Sequence, residues 1–355
     1  MKTLFEIKEV DRKFYRDKLK DFLPESIIDI HTHVWLDEFK GKEPESDLRA
    51  VTWPSLVAKD NSIEDLFETY NLMFPGKKVT PLIFSSLKSN DKIDQANTYV
   101  SDCSNRTGVP SLLYACPWWS AEELESRIIS GGFIGIKVYL NLSPNYIPQN
   151  EIRIFDFLPH HQLEVIDKLG LIVMLHIPRK DRFKDPINQQ QIIEIHNKYE
   201  NLKLIIAHVG RAYCKNDLGN TFDVLKDADR LLYDFSANTN SWIFEQLINA
   251  VGPKRILFGS DMPILRMRMK RIEKDGIYVN VVRKGMYGDV SDDKNMMEIE
   301  CSEADKLTFF MYEEIDAFRM AAESTLLSRQ DIENIFFNNA AELIKSVAPD
   351  RKFRF

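Results

Sequence analysis

The chain holds seven histidines, and four of them close short apolar runs. His31 and His33 stand two residues apart in "DIHTHVW", His176 ends "LHIP" and His208 opens "HVG". An aspartate, Asp261, takes the same position in "FGSDMP". Imidazole nitrogens and a carboxylate are the ligands that Zn2+ and other borderline first-row ions accept. An isolated pair such as "HTH" is more often a hydrogen-bonded strand end than a ligand pair. Five such residues at the ends of apolar runs make a constellation, and that constellation points to a metal centre. Side chains alternate along a strand, so His31 and His33 share a face, and Asp29 shares their parity. His160, His161 and His196 fall in helical patterns and are expected to face solvent or to cap helices.

The elements that must position these residues recur through the chain. Apolar runs occupy 26–31, 79–87, 111–118, 132–140, 170–178, 202–210, 230–237 and 255–263. Several are continuous rather than alternating, which suits strands buried on both faces of a parallel sheet. Helical patterns lie between them, with Gly170 and Gly252 where C-caps belong. The expected fold class is α/β, a (β/α)8 TIM barrel with an N-terminal helical extension. No glycine-rich dinucleotide or nucleotide-binding motif favours an open sheet. One domain, 1–355, is expected, with the barrel core at about 26–345. Residues 34–78 and 262–302 exceed the minimal loops after the first and last strands. Both leave from C-terminal strand ends, where barrel active sites lie, so they read as lids or pocket walls, with a homodimer contact as the rival role. The basic run "RMRMKR" (266–271) reads as a solvated loop.

Composition narrows the function. The 355 residues are 44% hydrophobic with a net charge of -7, and the pI is about 5.6. Such a balance argues against a nucleic-acid partner. The charged N-terminus has no apolar core typical of a secretory signal, and no stretch is long and apolar enough to span a membrane. The four cysteines are scattered without a CxxC pair. They are expected to be reduced packing residues in a cytoplasmic protein.

"DIHTHVW", "LHIP", "AHVG" and "FGSDMP", in this order, resemble the motifs of the amidohydrolase superfamily. The resemblance is greatest to the group that includes aminocarboxymuconate-semialdehyde decarboxylase and the lactone hydrolases. The tail "IENIFFNNAAEL" is similar to that group's closing helix. The resemblance implies a metal-dependent enzyme in which His31, His33, His176 and Asp261 bind one divalent ion. Zinc is the expected ion, with Mn2+, Fe2+ and Ni2+ as alternatives. It further implies that His208 sits beside the activated water and the substrate. Two positions depart from the pattern or leave it open. Arg211 stands where the related motif has a glycine. Lys137, in "GIKVY", is at a position that in binuclear relatives is carbamylated. Here the uncarbamylated lysine, a charge for the substrate, is the expected state.

A divalent ion with an open position lowers the pKa of bound water to about 7. Asp261 can then accept the water's proton, and His208 can orient or protonate the substrate's oxygen. Asp29 is either a support for a ligand or an ordinary interior hydrogen-bonding group. Lys137, Arg179 and Arg211 all lie at or just past strand ends, which favours an anionic small-molecule substrate, a carboxylate. Arg179 has a competing reading as the partner of Asp181 or Asp185. Tyr139 shares the parity of Lys137, so either could point inward, and both are candidate substrate-binding residues. Trp118 and Trp119, with Trp35 and Trp53, could wall the pocket for a ring or unsaturated acid, though packing is the commoner role of such residues. The leading reading is hydrolysis of a C–N or C–O bond. The alternative is non-oxidative decarboxylation of an unsaturated or aromatic acid on the same site. The third reading, a barrel that only binds, is disfavoured because all five polar positions hold competent residues.

Overall fold

The computed structural model describes residues 4–39, 56–87 and 90–355. Trp53 lies outside the described residues. Eight parallel strands form the framework: β1 Ser26–His33, β2 Lys78–Phe84, β3 Leu113–Tyr114, β4 Gly135–Val138, β5 Ile172–Leu175, β6 Lys203–Ile206, β7 Leu232–Asp234 and β8 Ile256–Leu257. Each falls on one of the eight apolar runs. Strands β3 to β8 are hydrogen-bonded in sequence order, and β1 pairs with β2. Both seams between these sheets are stitched by backbone bonds. Ile83 N donates to Pro110 O, and Leu112 N donates to Ile83 O. At the other seam Ile30 N donates to Phe258 O, His33 N to Met262 O and Asp261 N to His31 O. The result is the eight-membered ring of a (β/α)8 barrel.

The barrel interior is filled by Ile28, Leu82, Phe84, Leu112, Ile172, Met174, Ile205 and Leu257. Ala340, Ala341, Leu343 and Ile344 of the helix Asn339–Val347 join the same cluster. Asn339 ties that helix to the start of β8, its amide donating to Pro253 O and Ile256 O at 2.8 and 2.9 Å. Thr80, near the start of β2, donates to Arg354 O. The C-terminal segment therefore plugs the N-terminal end of the barrel and leaves the opposite end for chemistry.

Helices fill the outer layer where the pattern called for them. Ile93–Thr107, Ala121–Gly131, His160–Leu169, Pro186–Lys198 and Ser241–Val251 separate successive strands. Gly170 closes one of them at φ 66°, the left-handed C-cap expected of it. Gly252 also follows a helix, but at φ 72° and ψ 164°, so it turns the chain out rather than capping it. The long segment after β1 contains a helix that its sequence did not announce, Ile63–Met73, opened by Ser62, whose side chain accepts from Asp65 N. His196 is 9% exposed, not solvent-facing as expected.

Two features correct the sequence reading. β1 carries a bulge: Asp29 pairs with Pro81, yet Thr32 pairs with Ile83. One extra residue reverses the parity between the two points. Asp29 therefore does not share the face of His33. It points outward, accepting from Tyr70 Oη at 2.9 Å and from Ser260 N at 2.8 Å. The second feature follows β8. Instead of a solvated loop, residues 269–299 form a three-stranded sheet, β9 Met269–Lys274, β10 Ile277–Arg283 and β11 Met296–Ile299. Arg268 at its root is buried, bonding both carboxylate oxygens of Asp11 at 2.7 and 2.6 Å. That pair fastens the inserted sheet to the N-terminal helix Glu9–Phe14. Among the described residues no helix is long and apolar enough to cross a membrane.

Candidate metal centre

His31 and His33 lie at the end of β1, while His176, His208 and Asp261 follow β5, β6 and β8. The ring brings them to one mouth. His33 Nε2 lies 3.0 Å from Asp261 Oδ1, and His31 Nε2 lies 3.6 Å from the same oxygen. His31, His208 and Asp261 each offer a ligand atom within 4.8 Å of the others. The three-donor group within that spacing thus includes His208 rather than His176. His176 adjoins it, its ring 5.3 Å from that of His208.

The donors are held from behind. Asp234, a residue the sequence reading passed over, is fully buried and contacts His31 Nδ1 at 2.9 Å. Its other oxygen accepts from His208 N at 3.0 Å and from Ser236 N at 3.1 Å. His208 Nδ1 faces Ser236 O at 3.1 Å, and His33 Nδ1 faces Ser85 O at 3.2 Å. With each Nδ1 acting as donor, the Nε2 lone pairs of all three rings turn toward the mouth, the form that ligates.

His31 Nε2 and His176 Nδ1 are buried without a hydrogen-bond partner among the described residues. Buried polar atoms are seldom left so, and a cation held between His31 and Asp261 would satisfy the first. Protonation states agree. Burial, then the nearby Lys137, holds His31 down to about 3. Burial likewise lowers His176 and His208. Burial pushes Asp261 up, but the close approach of His33, then the neighbouring His208 and His31, outweigh it and hold the carboxyl near 2. Neutral imidazoles beside an ionised carboxylate make a donor set that fits a divalent transition metal.

The backbone at the mouth is strained. His208, Val209, Gly210 and Arg211 have φ of 56°, 48°, 60° and 60°. This is one left-handed turn, which costs a non-glycine residue roughly 1–2 kcal/mol. A Cβ at Gly210 would meet the Phe183 ring at 2.3 Å. At Arg211, where the related motif has a glycine, the strain is borne by a long cationic side chain. Its Nη1 donates to the carbonyls of Ile177 and Pro178, both at 3.2 Å. Arg211 has no carboxylate partner among the described residues. Asp217, its nearest acidic neighbour in sequence, is instead taken by Arg182 at 2.6 Å.

Other expected contacts fall differently. Arg179 is engaged by Asp185 at 3.0 Å. The other oxygen of Asp185 caps the helix Pro186–Lys198 by accepting from Ile187 N and Asn188 N. Helix capping thus places an anion beside Arg179, the competing pairing with Asp185 read from the sequence. Trp118 is 54% exposed, whereas Trp119 is buried beneath Arg127, whose guanidinium lies 4.2 Å from the ring. Trp35 is buried with its ring 6.3 Å from that of His33, and its indole donates to Lys59 O. The aromatic neighbours of the centre on this side are tyrosines: Tyr114 and Tyr139 stack at 5.3 Å, and Tyr139 Oη lies 3.4 Å from His33 Nε2. Lys137 is fully buried between the rings of Phe84 and Tyr139, at 5.3 and 4.8 Å. Its Nζ has no partner among the described residues, and burial lowers it to about 8 against the pull of Asp234 and Asp261.

Solved structures share this fold. A dihydroxybenzoic acid decarboxylase from Polaromonas sp. JS666, with bound manganese and 2-nitroresorcinol, aligns with a TM-score of 0.50 at 17% identity, covering 91% of this chain and 97% of that one. A putative 2-pyrone-4,6-dicarboxylic acid hydrolase from Pseudomonas putida aligns at 0.52 and 14%, covering 92% and 99%. A 2,6-dihydroxybenzoate decarboxylase from Rhizobium aligns at 0.51 and 13%, covering 91% and 99%. No curated protein matches the chain in sequence. Residues 28–277, from β1 to the first residue of β10, match the amidohydrolase family model, and the chain belongs to that family of metal-dependent enzymes.

Proposed function

We propose that this protein is a hydrolase of C–N or C–O bonds in a small carboxylate-bearing substrate, dependent on one divalent ion, zinc. The observation that carries the reading is the buried, unpartnered Nε2 of His31 facing the Asp261 carboxylate among the other histidines. His31, His33, His176 and Asp261 would hold the ion, with His208 at the substrate. Bound there, a divalent ion supplies Lewis acidity and acidifies water to a pKa of about 7.

The side chains do the rest. Asp261, ionised and close to both His31 and His33, would help to hold the ion and is the carboxylate placed to accept a proton from water. His208, its Nδ1 fixed on Ser236 O, presents Nε2 to the substrate oxygen and donates or accepts a proton there. Arg211 faces the substrate carboxylate, which explains why a strained position holds a guanidinium lacking an anion. Lys137 adds a second positive charge at the mouth. Tyr114 and Tyr139 give a flat wall for a ring.

That wall equally suits a planar aromatic acid, so non-oxidative decarboxylation is the second reading. Fold relatives that act on dihydroxybenzoates keep it in view. The two part on product. Lactones, amides and aromatic acids are offered to the zinc-loaded enzyme while acid release and carbon dioxide release are followed together. Acid release without carbon dioxide supports hydrolysis, and carbon dioxide release from an aromatic acid replaces it with decarboxylation. Elemental analysis should find about one metal per chain, lost in His31→Ala and Asp261→Ala. Two metals per chain with a carbamate on Lys137 would overturn the single-ion reading. Unchanged metal in both variants would overturn the site.

A further inference from the structure

The inserted sheet does more than cover the barrel end. Arg271, on β9, reaches back to the barrel and donates through Nη1 to Ala237 O, while its Nε donates to Asn280 Oδ1 at 2.8 Å. Ala237 follows Ser236, whose carbonyl faces His208, so Arg271 docks one residue along from the proposed centre. Its guanidinium lies 4.7 and 4.6 Å from the rings of Tyr213 and Tyr278. Those two rings meet edge to face at 5.1 Å. Arg182 lies against the same pair, at 5.2 and 5.0 Å, and is neutralised by Asp217. Arg211 stands two residues before Tyr213. Arg182 and Arg271 thus flank one tyrosine pair, with Arg211 close by in the chain, and of the three only Arg182 has a carboxylate partner among the described residues.

Neither Arg211 nor Arg271 has a carboxylate partner among the described residues, and both are half-buried. Burial lowers the pKa of each. Desolvated cations without counter-ions are costly, and an arginine fork matches a carboxylate. Arg271 Nη2 has no hydrogen bond among the described residues and so remains free for one. We infer that the inserted sheet supplies Arg271 as a second anion-recognition residue, and that the substrate is a dicarboxylate, one carboxylate at Arg211 and the other at Arg271 across the Tyr213–Tyr278 pair. This rests on the acid-substrate reading above.

Binding to the zinc-loaded protein is measured by titration calorimetry with two matched pairs of probes, isophthalate against benzoate and glutarate against butyrate. In at least one pair the diacid should bind the native protein about tenfold or more tightly than the monoacid, the size of one charge-assisted contact. Arg271→Gln should abolish that preference and change monoacid binding less than about twofold. Arg211→Gln should weaken monoacid and diacid alike. A native protein without diacid preference, or an Arg271→Gln variant that weakens both acids equally or neither, overturns the inference and makes Arg271 a strut for the sheet. Arg211→Gln leaving all probes unaffected would instead sink the acid reading itself. If Arg271→Gln does not fold, Arg271→Lys keeps the charge without the fork, and undiminished diacid preference there also overturns the proposal.

Discussion

Asp234→Asn tests whether the structure has the centre's orientation right. The aspartate contacts His31 Nδ1 at 2.9 Å with one oxygen, while the other accepts from His208 N and Ser236 N. Burial opposes its charge, but the contact with His31 leads those that hold the carboxyl well below the ordinary range, with His208 and Ser236 after it. It is therefore an acceptor only at neutral pH. Asparagine keeps the shape and one acceptor. If its oxygen stays on the backbone amides, its NH2 faces a ring nitrogen that was donating. His31 must then lose that contact or move its proton to Nε2, and either result spoils Nε2 as a ligand. If the amide flips, two buried N–H groups lose their acceptor, at about 1–3 kcal/mol each. Outer partners of this kind are worth 10–100-fold in metal affinity, or roughly 1.4–2.7 kcal/mol. Competition with a chromophoric chelator measures zinc affinity, and the melting temperature of the metal-free variant reports the fold. Affinity within about twofold of the native value in a folded variant would refute the argument, since His31 would not be ligating through Nε2.

Three further outcomes are expected. His208→Ala should keep the metal and lose about 10²–10⁴-fold in turnover. Because the geometry puts a His208 donor within 4.8 Å of those of His31 and Asp261, metal loss matching that of His176→Ala would instead make it a ligand. Arg211→Met should raise KM for acids far more than for neutral esters or amides of similar shape, and equal losses would leave Arg211 as a brace for Ile177 and Pro178. Asp29→Asn should flatten the pH dependence of melting. Burial, partly offset by hydrogen bonds from Ser260 and Tyr70, raises Asp29 from 3.8 to about 7. Its folded form therefore binds a proton more tightly than the unfolded chain, and the stability this gives is full below about 3.8 and lost as pH rises through about 7. The contribution is at most about 4 kcal/mol, and parallel melting profiles for variant and native protein between roughly pH 4 and 8 would contradict it.

What the sequence could reveal depended on how local each cause was. A strand that is apolar and ends in histidine shows both facts within ten residues, so the eight strands and the positions of His31, His33, His176, His208 and Asp261 were readable. The bulge in β1 was not, because an extra residue leaves no mark on composition and yet turns Asp29 to the outer layer. Asp234 escaped notice because its partner His31 is 203 positions away. In isolation it is only an acid ending an apolar run. The inserted sheet was missed because "MKRIEK" is largely charged and only Met269 of it is buried, so the strand comes from pairing with β10 rather than from an apolar run of its own. Arg179 and Asp185, six residues apart, could be foreseen as a pair. Tyr139 could be picked out by its parity with Lys137, but its stacking on Tyr114 could not, since the two meet only when β3 and β4 lie side by side.

The distribution of strain ties fold to function. Of the non-glycine residues with left-handed backbone, His208, Val209, Arg211, Ala237 and Asp261 lie just past the C-terminal ends of β6, β7 and β8, while Arg182, Asp275 and Leu326 lie elsewhere. Each such residue costs roughly 1–2 kcal/mol, a substantial charge against a net stability of about 5–15 kcal/mol. Most of it is concentrated at the mouth. At the other end Ile344, Leu343 and their neighbours seal an apolar interior, and Asn339 and Arg354 pin the closing segment to the barrel strands and loops. A chain could relax the mouth by placing glycine at Arg211. The arginine stands there in a strained turn, without a counter-ion among the described residues, beside a histidine whose Nδ1 is already bonded. On the function proposed above, strain, charge and orientation share one explanation, a substrate anion that arrives with the reaction and completes the site.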